Sequence, residues 1–298
     1  MAVTMADIAK LRQMTGAGMM DCKGALTEAA GDFNKAIEII RKKGQAVAAK
    51  RNDRQAAEGC ALAASDGKFA AALALKCETD FVAQNADFIK LTQSILDLAM
   101  VQKPATLDEL KNAKIGNSTV AELISDRIGV TGEKMELDFY CTVTGESTVA
   151  YIHPGNKLAT LVAFNQDADA QVKKEIAMQV AAMNPVALDR ASVPAELLEK
   201  EREIAKDKAR QAGKPENILD RIADGALNKY YSENVLLDQE FIKDNKKTVA
   251  AYMDSVSKGL TAIDFNRVNL NQDYFIIYVK KKRVCLTLFF FVIFISLY

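Results

Sequence analysis

Residue types that carry chemistry are few and scattered in this chain. There is one histidine, His153, so no multi-histidine metal site can form; a Cys–His pair is conceivable, but only Cys141 lies near His153 in sequence and nothing suggests an activated thiolate. The five cysteines, Cys22, Cys60, Cys77, Cys141 and Cys285, are odd in number, widely spaced and form no CxxC pair. That argues against a disulfide framework and a zinc site, and for a reducing compartment. No GxSxG, GxxxxGK[ST] or HExxH string occurs. The expectation is a protein with no catalytic residues, no metal and no cofactor, acting through what it binds.

One stretch stands out as a binding element. "KCETDFVAQNADF" (76–88) sets Phe81 directly after Asp80, where an apolar strand gives way to a helix. Turns are usually polar, so a large apolar side chain there needs a reason. The segment 66–100 reads as turn, apolar strand and amphipathic helix with Phe88, Ile89, Ile95 and Leu96 on its face, and 154–183 repeats that order with Val172, Ile176, Val180 and Met183. A shift of 89 residues lays Lys68 over Lys157, Leu73 over Val162 and Asp80 over Asp169, but Phe81 over Ala170 and Val82 over Gln171. The unit can therefore be built without an aromatic residue at this turn. Two readings of Phe81 stand: it packs on its own subdomain, as most phenylalanines do, or it fills a pocket on a partner. Burying the ring is worth roughly 1.5–3 kcal/mol in either place, and the repeat comparison favours the partner.

These residues need elements to position them. Ile8 and Leu11 share one helical face, "TGAG" (15–18) breaks the chain, and Met19, Met20, Ala25 and Leu26 recur at helical spacing. After Gly31, Asp32 can cap a third helix bearing Phe33, Ala36, Ile37 and Ile40, with Gly44 as its predicted C-cap. Residues 45–59, small and charged, read as a helical or flexible linker. Across 195–231, two charge-dense helical runs with sparse apolar positions flank Gly213-Lys214-Pro215, the pattern of an antiparallel helical hairpin.

Lys+Arg and Asp+Glu both total 39, so no overall basic footprint points to nucleic acid. The start lacks the n- and h-regions of a signal peptide and the arginine-rich pattern of a transit peptide, and the expected location is cytoplasmic. The tail joins "KKKR" to fifteen uncharged, mostly apolar residues, 284–298. This is short of the ~17–25 residues that span a bilayer. A chain end altered by frameshift or read-through is preferred over a membrane anchor.

Taken in order, "LRQMTGAGMMDCKGAL" (11–26), "CETDFVAQNADF" (77–88), "YIHPGNK" (151–157), "AAMNP" (181–185), "QAGKPENI" (211–218) and "LLDQEFIKD" (236–244) resemble the bacterial elongation factor Ts family over about residues 3–270. The resemblance implies an α+β fold: a ubiquitin-associated-like three-helix domain (1–53), then a core of two related subdomains (54–140 and 141–272). The second would carry the hairpin, and 273–298 forms an atypical tail. It further implies guanine nucleotide exchange on elongation factor Tu, without enzymatic catalysis. Thr79, Asp80, Phe81, Val82 and Ala83 would press between helices of that GTPase beside its magnesium site. Arg12, Met19 and Met20 would grip its nucleotide-binding domain, His153 would lie near the partner, and the hairpin would serve a homodimer or partner contact. Ala159 stands where the family commonly has glycine, and the chain after residue 272 leaves the family pattern. The competing reading is an adaptor that binds helical or ubiquitin-like partners through residues 1–53. A third, a membrane-tethered scaffold, rests on residues 284–298 alone.

Overall fold

The computed structural model describes residues 3–51 and 53–270, so the tail and its reading as an anchor lie outside the described residues. Two compact units are present, one made of residues up to Asn184 together with 250–270, the other of Pro185–Val249. The chain mixes helices with small antiparallel sheets, in keeping with the α+β expectation.

Three helices open the first unit. α1 (Met5–Thr15) begins with a capping box, in which Thr4 Oγ1 accepts from the Asp7 N–H and the Asp7 carboxylate accepts from the Thr4 N–H. α2 (Met19–Glu28) follows the TGAG break. α3 (Phe33–Lys50) starts where the Asp32 carboxylate accepts from the N–H groups of Asn34 and Lys35. Ile8, Leu11, Cys22, Leu26, Ala36 and Ile40 close a small core between them. Met19 and Met20 do not join it: the pair at the start of α2 faces outward, Met20 being 78 % exposed.

β1 (Glu58–Ser65) and β2 (Phe69–Cys77) form an antiparallel hairpin. A single turn, α4 (Asp80–Ala83), leads into α5 (Ala86–Gln102) and α6 (Leu107–Asn112). A two-stranded ribbon, β3 (Lys114–Ile115) with β4 (Ser118–Thr119), precedes α7 (Val120–Thr131). β5 (Met135–Thr144) then pairs with β2, completing a sheet of order β1-β2-β5. Phe88, Ile95 and Leu96 of α5 pack with Leu73 and Leu75 of the central strand, which is apolar from Phe69 to Leu75 because both its faces are covered there.

The α3–α7 crossing corrects one expectation. α3 does not stop at Gly44 but continues to Lys50. A Cβ at Gly44 would sit 2.9 Å from the Ser125 carbonyl oxygen and 3.1 Å from Gly129 Cα. Gly44 is thus a close-approach residue where two backbones meet, and glycine signalled tight packing where a helix end was read.

β6 (Ser147–Ile152), β7 (Leu158–Phe164) and α8 (Ala170–Met183) follow. In the second unit, α9 (Ala195–Gln211) and α10 (Leu219–Asn234) run antiparallel, Arg202 pairing with Asp224 at 2.8 Å and Lys206 with Asp220 at 3.0 Å. That unit ends in a short hairpin of β8 (Glu240–Phe241) and β9 (Asp244–Thr248). α11 (Val249–Val256) and β10 (Ala262–Asn269) return to the first unit, and β10 pairs with β7 in a sheet of order β10-β7-β6. Val172, Ile176 and Val180 of α8 are buried as expected, whereas Met183 at its end is exposed.

β2 and β7 are each the centre of a three-stranded antiparallel sheet, and each leads to a helix. In the second copy Asp169 caps α8, accepting from the Gln171 N–H at 2.7 Å, and the helix starts at Ala170 without interruption. In the first copy the extra turn α4 intervenes and carries Phe81.

Candidate functional site

Thr79 shapes the TDFVA turn. It sits in extended conformation, and its Oγ1 accepts from the Val82 N–H at 3.4 Å, starting α4. Asn85 ends the turn by capping α5, accepting from the N–H groups of Asp87 and Phe88. Ala83 is buried and Val82 half-buried against the sheet core, so the remaining two positions, Asp80 and Phe81, face solvent. Phe81 is 84 % exposed, more than any other large hydrophobic side chain among the described residues. Seven positions on, Phe88 is fully buried.

The base of the turn is tied to the end of α7. Gly132 closes that helix in left-handed conformation, φ 71°, and the next two residues reach back to the turn. The Thr79 N–H donates to Glu133 Oε2 at 3.1 Å, and the Thr79 hydroxyl donates to Glu133 Oε1 at 2.6 Å. The Lys134 N–H donates to Glu78 Oε1 at 2.7 Å, while Arg51 Nη1 donates to both Glu78 oxygens at 2.9 and 3.1 Å. The Lys134 N–H, assisted by Arg51 and Arg54, holds the Glu78 carboxyl below the usual carboxylate range. Burial pushes the Cys77 thiol up to about 12 and the Cys60 thiol to about 11, so neither supplies a thiolate nucleophile at neutral pH.

His153 lies exposed in the turn between β6 and β7, where its Nδ1 is 3.1 Å from the Tyr151 hydroxyl. The same turn delivers Lys157, whose ammonium pairs with Glu58 at 2.7 Å. That hydrogen bond, with the further attraction of Asp80, raises the lysine above its ordinary range. Glu58 opens β1 opposite Cys77, so the turn of His153 and the turn of Phe81 share one end of β1. Arg12, Met19 and Met20 are exposed on the helical module. Their link to the turn runs through α7: Gly16, whose N–H donates to the Arg12 carbonyl at 2.7 Å, lies against Val130, three residues before Glu133.

Glu133, Glu78 and Arg51 are the members of this arrangement that sequence reasoning missed. Thr119-x-x-Glu122 and Gly132 do signal the start and stop of α7. Nothing local announces that the residues after Gly132 meet Thr79, a contact spanning 54 positions.

Among the described residues, no group of three or more His, Cys, Asp or Glu could hold a metal ion, and no helix is long and apolar enough to cross a membrane. The arrangement offers an exposed aromatic side chain, on a turn whose base is hydrogen-bonded to the end of α7, to whatever approaches it.

A family model described as Elongation factor TS matches residues 78–272, a span that begins at the Glu78 anchor. The chain belongs to the elongation factor Ts family. It is 60 % identical over 274 residues to Elongation factor Ts of Porphyromonas gingivalis, covering 92 % of this chain and 100 % of the relative. Elongation factor Ts of Azobacteroides pseudotrichonymphae is 51 % identical with the same coverage. That of Bacteroides thetaiotaomicron is 48 % identical over an alignment of 330 positions, again covering 92 % of this chain and the whole relative. Family membership makes this a translation elongation factor, a protein of the elongation step of protein biosynthesis.

Proposed function

We propose that this chain is a guanine nucleotide exchange factor, which binds elongation factor Tu and releases its GDP by inserting Phe81 beside the magnesium and phosphate site. The observation that carries the reading is the 84 % exposure of Phe81 on a turn whose base is fixed by hydrogen bonds. A folded protein gains nothing from an aromatic ring held in water, and a partner pocket gains the whole of its burial. A P-loop GTPase holds GDP through backbone donors, a lysine and a magnesium ion acting on the same phosphates, so displacing the surrounding helices weakens all three together. Thr79, Asp80, Val82 and Ala83 shape the wedge. Arg12, Met19 and Met20 make a second contact, in which flexible thioethers suit an adaptable apolar surface. His153, sharing one end of β1 with the wedge, makes a third.

In this reading residues 1–53 form the ubiquitin-associated-like domain, 54–140 and 141–272 the two core subdomains, and 195–231 the helical hairpin serving self-association. No covalent step, cofactor, metal or direct nucleic acid contact is involved, and the place of action is the cytoplasm. Sedimentation equilibrium on the full chain tests the hairpin's role: a dimer that becomes a monomer on Ile222→Asp supports it, and a monomer throughout removes it.

Linkage supplies the test of the exchange reading. If the chain lowers the affinity of the GTPase for nucleotide, nucleotide lowers its affinity for the chain by the same factor. A complex with nucleotide-free elongation factor Tu, isolated by gel filtration, should come apart on addition of GDP or GTP with magnesium. A complex that forms and persists regardless of nucleotide would leave binding without exchange, as an adaptor would show.

A further inference from the structure

The wedge is a single helical turn, and one turn of helix does not hold itself. Its fixed points are the inward Ala83, the half-buried Val82 and Thr79. Thr79 is held by Glu133 at both of its donors, the N–H at 3.1 Å and the hydroxyl at 2.6 Å. A carboxylate accepts only, so the Thr79 hydroxyl must give its one proton to Glu133 and is left with lone pairs for the Val82 N–H, the bond that starts the turn. We propose that Glu133 is a positioning residue for exchange, a side chain outside the wedge whose carboxylate fixes the direction in which Phe81 is presented. The proposal rests on the exchange reading above.

Glu133 suits the task because it is itself fixed. Its N–H donates to the Thr131 Oγ1 at 3.2 Å, Gly132 before it ends α7, and Lys134 after it donates to Glu78. Residues 133–134 and 78–79 thus exchange hydrogen bonds in both directions, and the turn inherits the rigidity of α7. Without Glu133 the Thr79 N–H loses its acceptor, the hydroxyl is free to turn, and the cost of ordering Phe81 falls on complex formation.

The test is a double-mutant cycle in the full chain. Acceleration of fluorescent GDP release from elongation factor Tu is measured for Glu133→Ala, Phe81→Ala and the double variant, with thermal unfolding recorded beside each. Glu133→Ala is expected to lower the acceleration roughly tenfold, equivalent to about 1.4 kcal/mol. The double variant should be no slower than Phe81→Ala alone, since a missing ring has no direction to lose. Glu133→Gln keeps one acceptor oxygen where the carboxylate has two, so only one of the two Thr79 donors is still served, and it should fall between. If Glu133→Ala is unfolded at the assay temperature, the cycle with Glu133→Gln is read by the same rule. Unchanged acceleration in Glu133→Ala, or a double variant slowed by the product of the two single effects, overturns the assignment. Phe81→Ala at the unmutated rate overturns the wedge itself, and is recognised because it does not involve Glu133.

Discussion

Replacing Phe81 with alanine separates a residue kept for a partner from one kept for the fold. Fully burying a phenylalanine is worth roughly 1.5–3 kcal/mol. With 84 % of its surface in water, Phe81 realises only about a sixth of that in the free protein, at most ~0.5 kcal/mol. Alanine also favours a helical position by up to ~0.7 kcal/mol, which offsets the loss. The variant should therefore melt within a few degrees of the unmutated protein. Phe88→Ala is the internal control, since the same truncation of a fully buried ring costs about 3–5 kcal/mol. Against the partner the order reverses. Removing a ring that is buried only in the complex forfeits the whole 1.5–3 kcal/mol, a roughly ten- to hundredfold loss of affinity for nucleotide-free elongation factor Tu. Thermal unfolding and a titration of that complex read the two quantities. A loss of several kcal/mol of stability in Phe81→Ala, or binding equal to the unmutated protein, would refute the reasoning.

Two further perturbations follow from the same geometry. Gly44→Ala should destabilise by about 1–3 kcal/mol in a urea titration despite alanine's better helix propensity, because its Cβ would meet the Ser125 carbonyl oxygen at 2.9 Å; a stabilised variant would mean the α3–α7 crossing is looser than described. Asp66 accepts from Lys103 Nζ at 2.7 Å and from the N–H groups of Phe69 and Lys68, which brings its carboxyl down to about 2 from an ordinary 3.8. A depressed folded-state value contributes stability that is complete above about pH 4 and fades as pH falls toward 2. Asp66→Asn should therefore lose less stability than the unmutated protein over that interval, and parallel pH curves would count against the Lys103 contact.

Elements with their own local signals were legible in the sequence. The cap at Asp32, the breaks at Gly16 and Gly31 and the apolar spacing of Phe88, Ile95 and Leu96 each act within a few residues, and the helices they mark stand where they put them. The two segments offset by 89 residues gave the most useful clue, since the position where they disagree is the most exposed aromatic of the described residues. Other residues were misread or missed. Gly44 was misread because a glycine at a helix end and one at a helix crossing look alike until the second helix, with Gly129, is in place. Met19 and Met20 share the helical spacing of Ala25 and Leu26, yet Cys22, Ala25 and Leu26 fill the core and leave the methionines exposed, as the partner contact expected of them requires. Glu133 escaped for a different reason. Its role is set by a loop folding back over 54 positions, and no spacing within α7 encodes that.

The central claim is that this chain empties the nucleotide site of elongation factor Tu. The most direct measurement mixes the full chain, at well below one equivalent, with elongation factor Tu loaded with fluorescent GDP and follows the signal on addition of excess unlabelled GDP. The account predicts release of the whole signal, much faster than without the chain, because linkage lets incoming nucleotide free the chain to act again. Release at the spontaneous rate, or an amplitude limited to the equivalents of chain added, would contradict it.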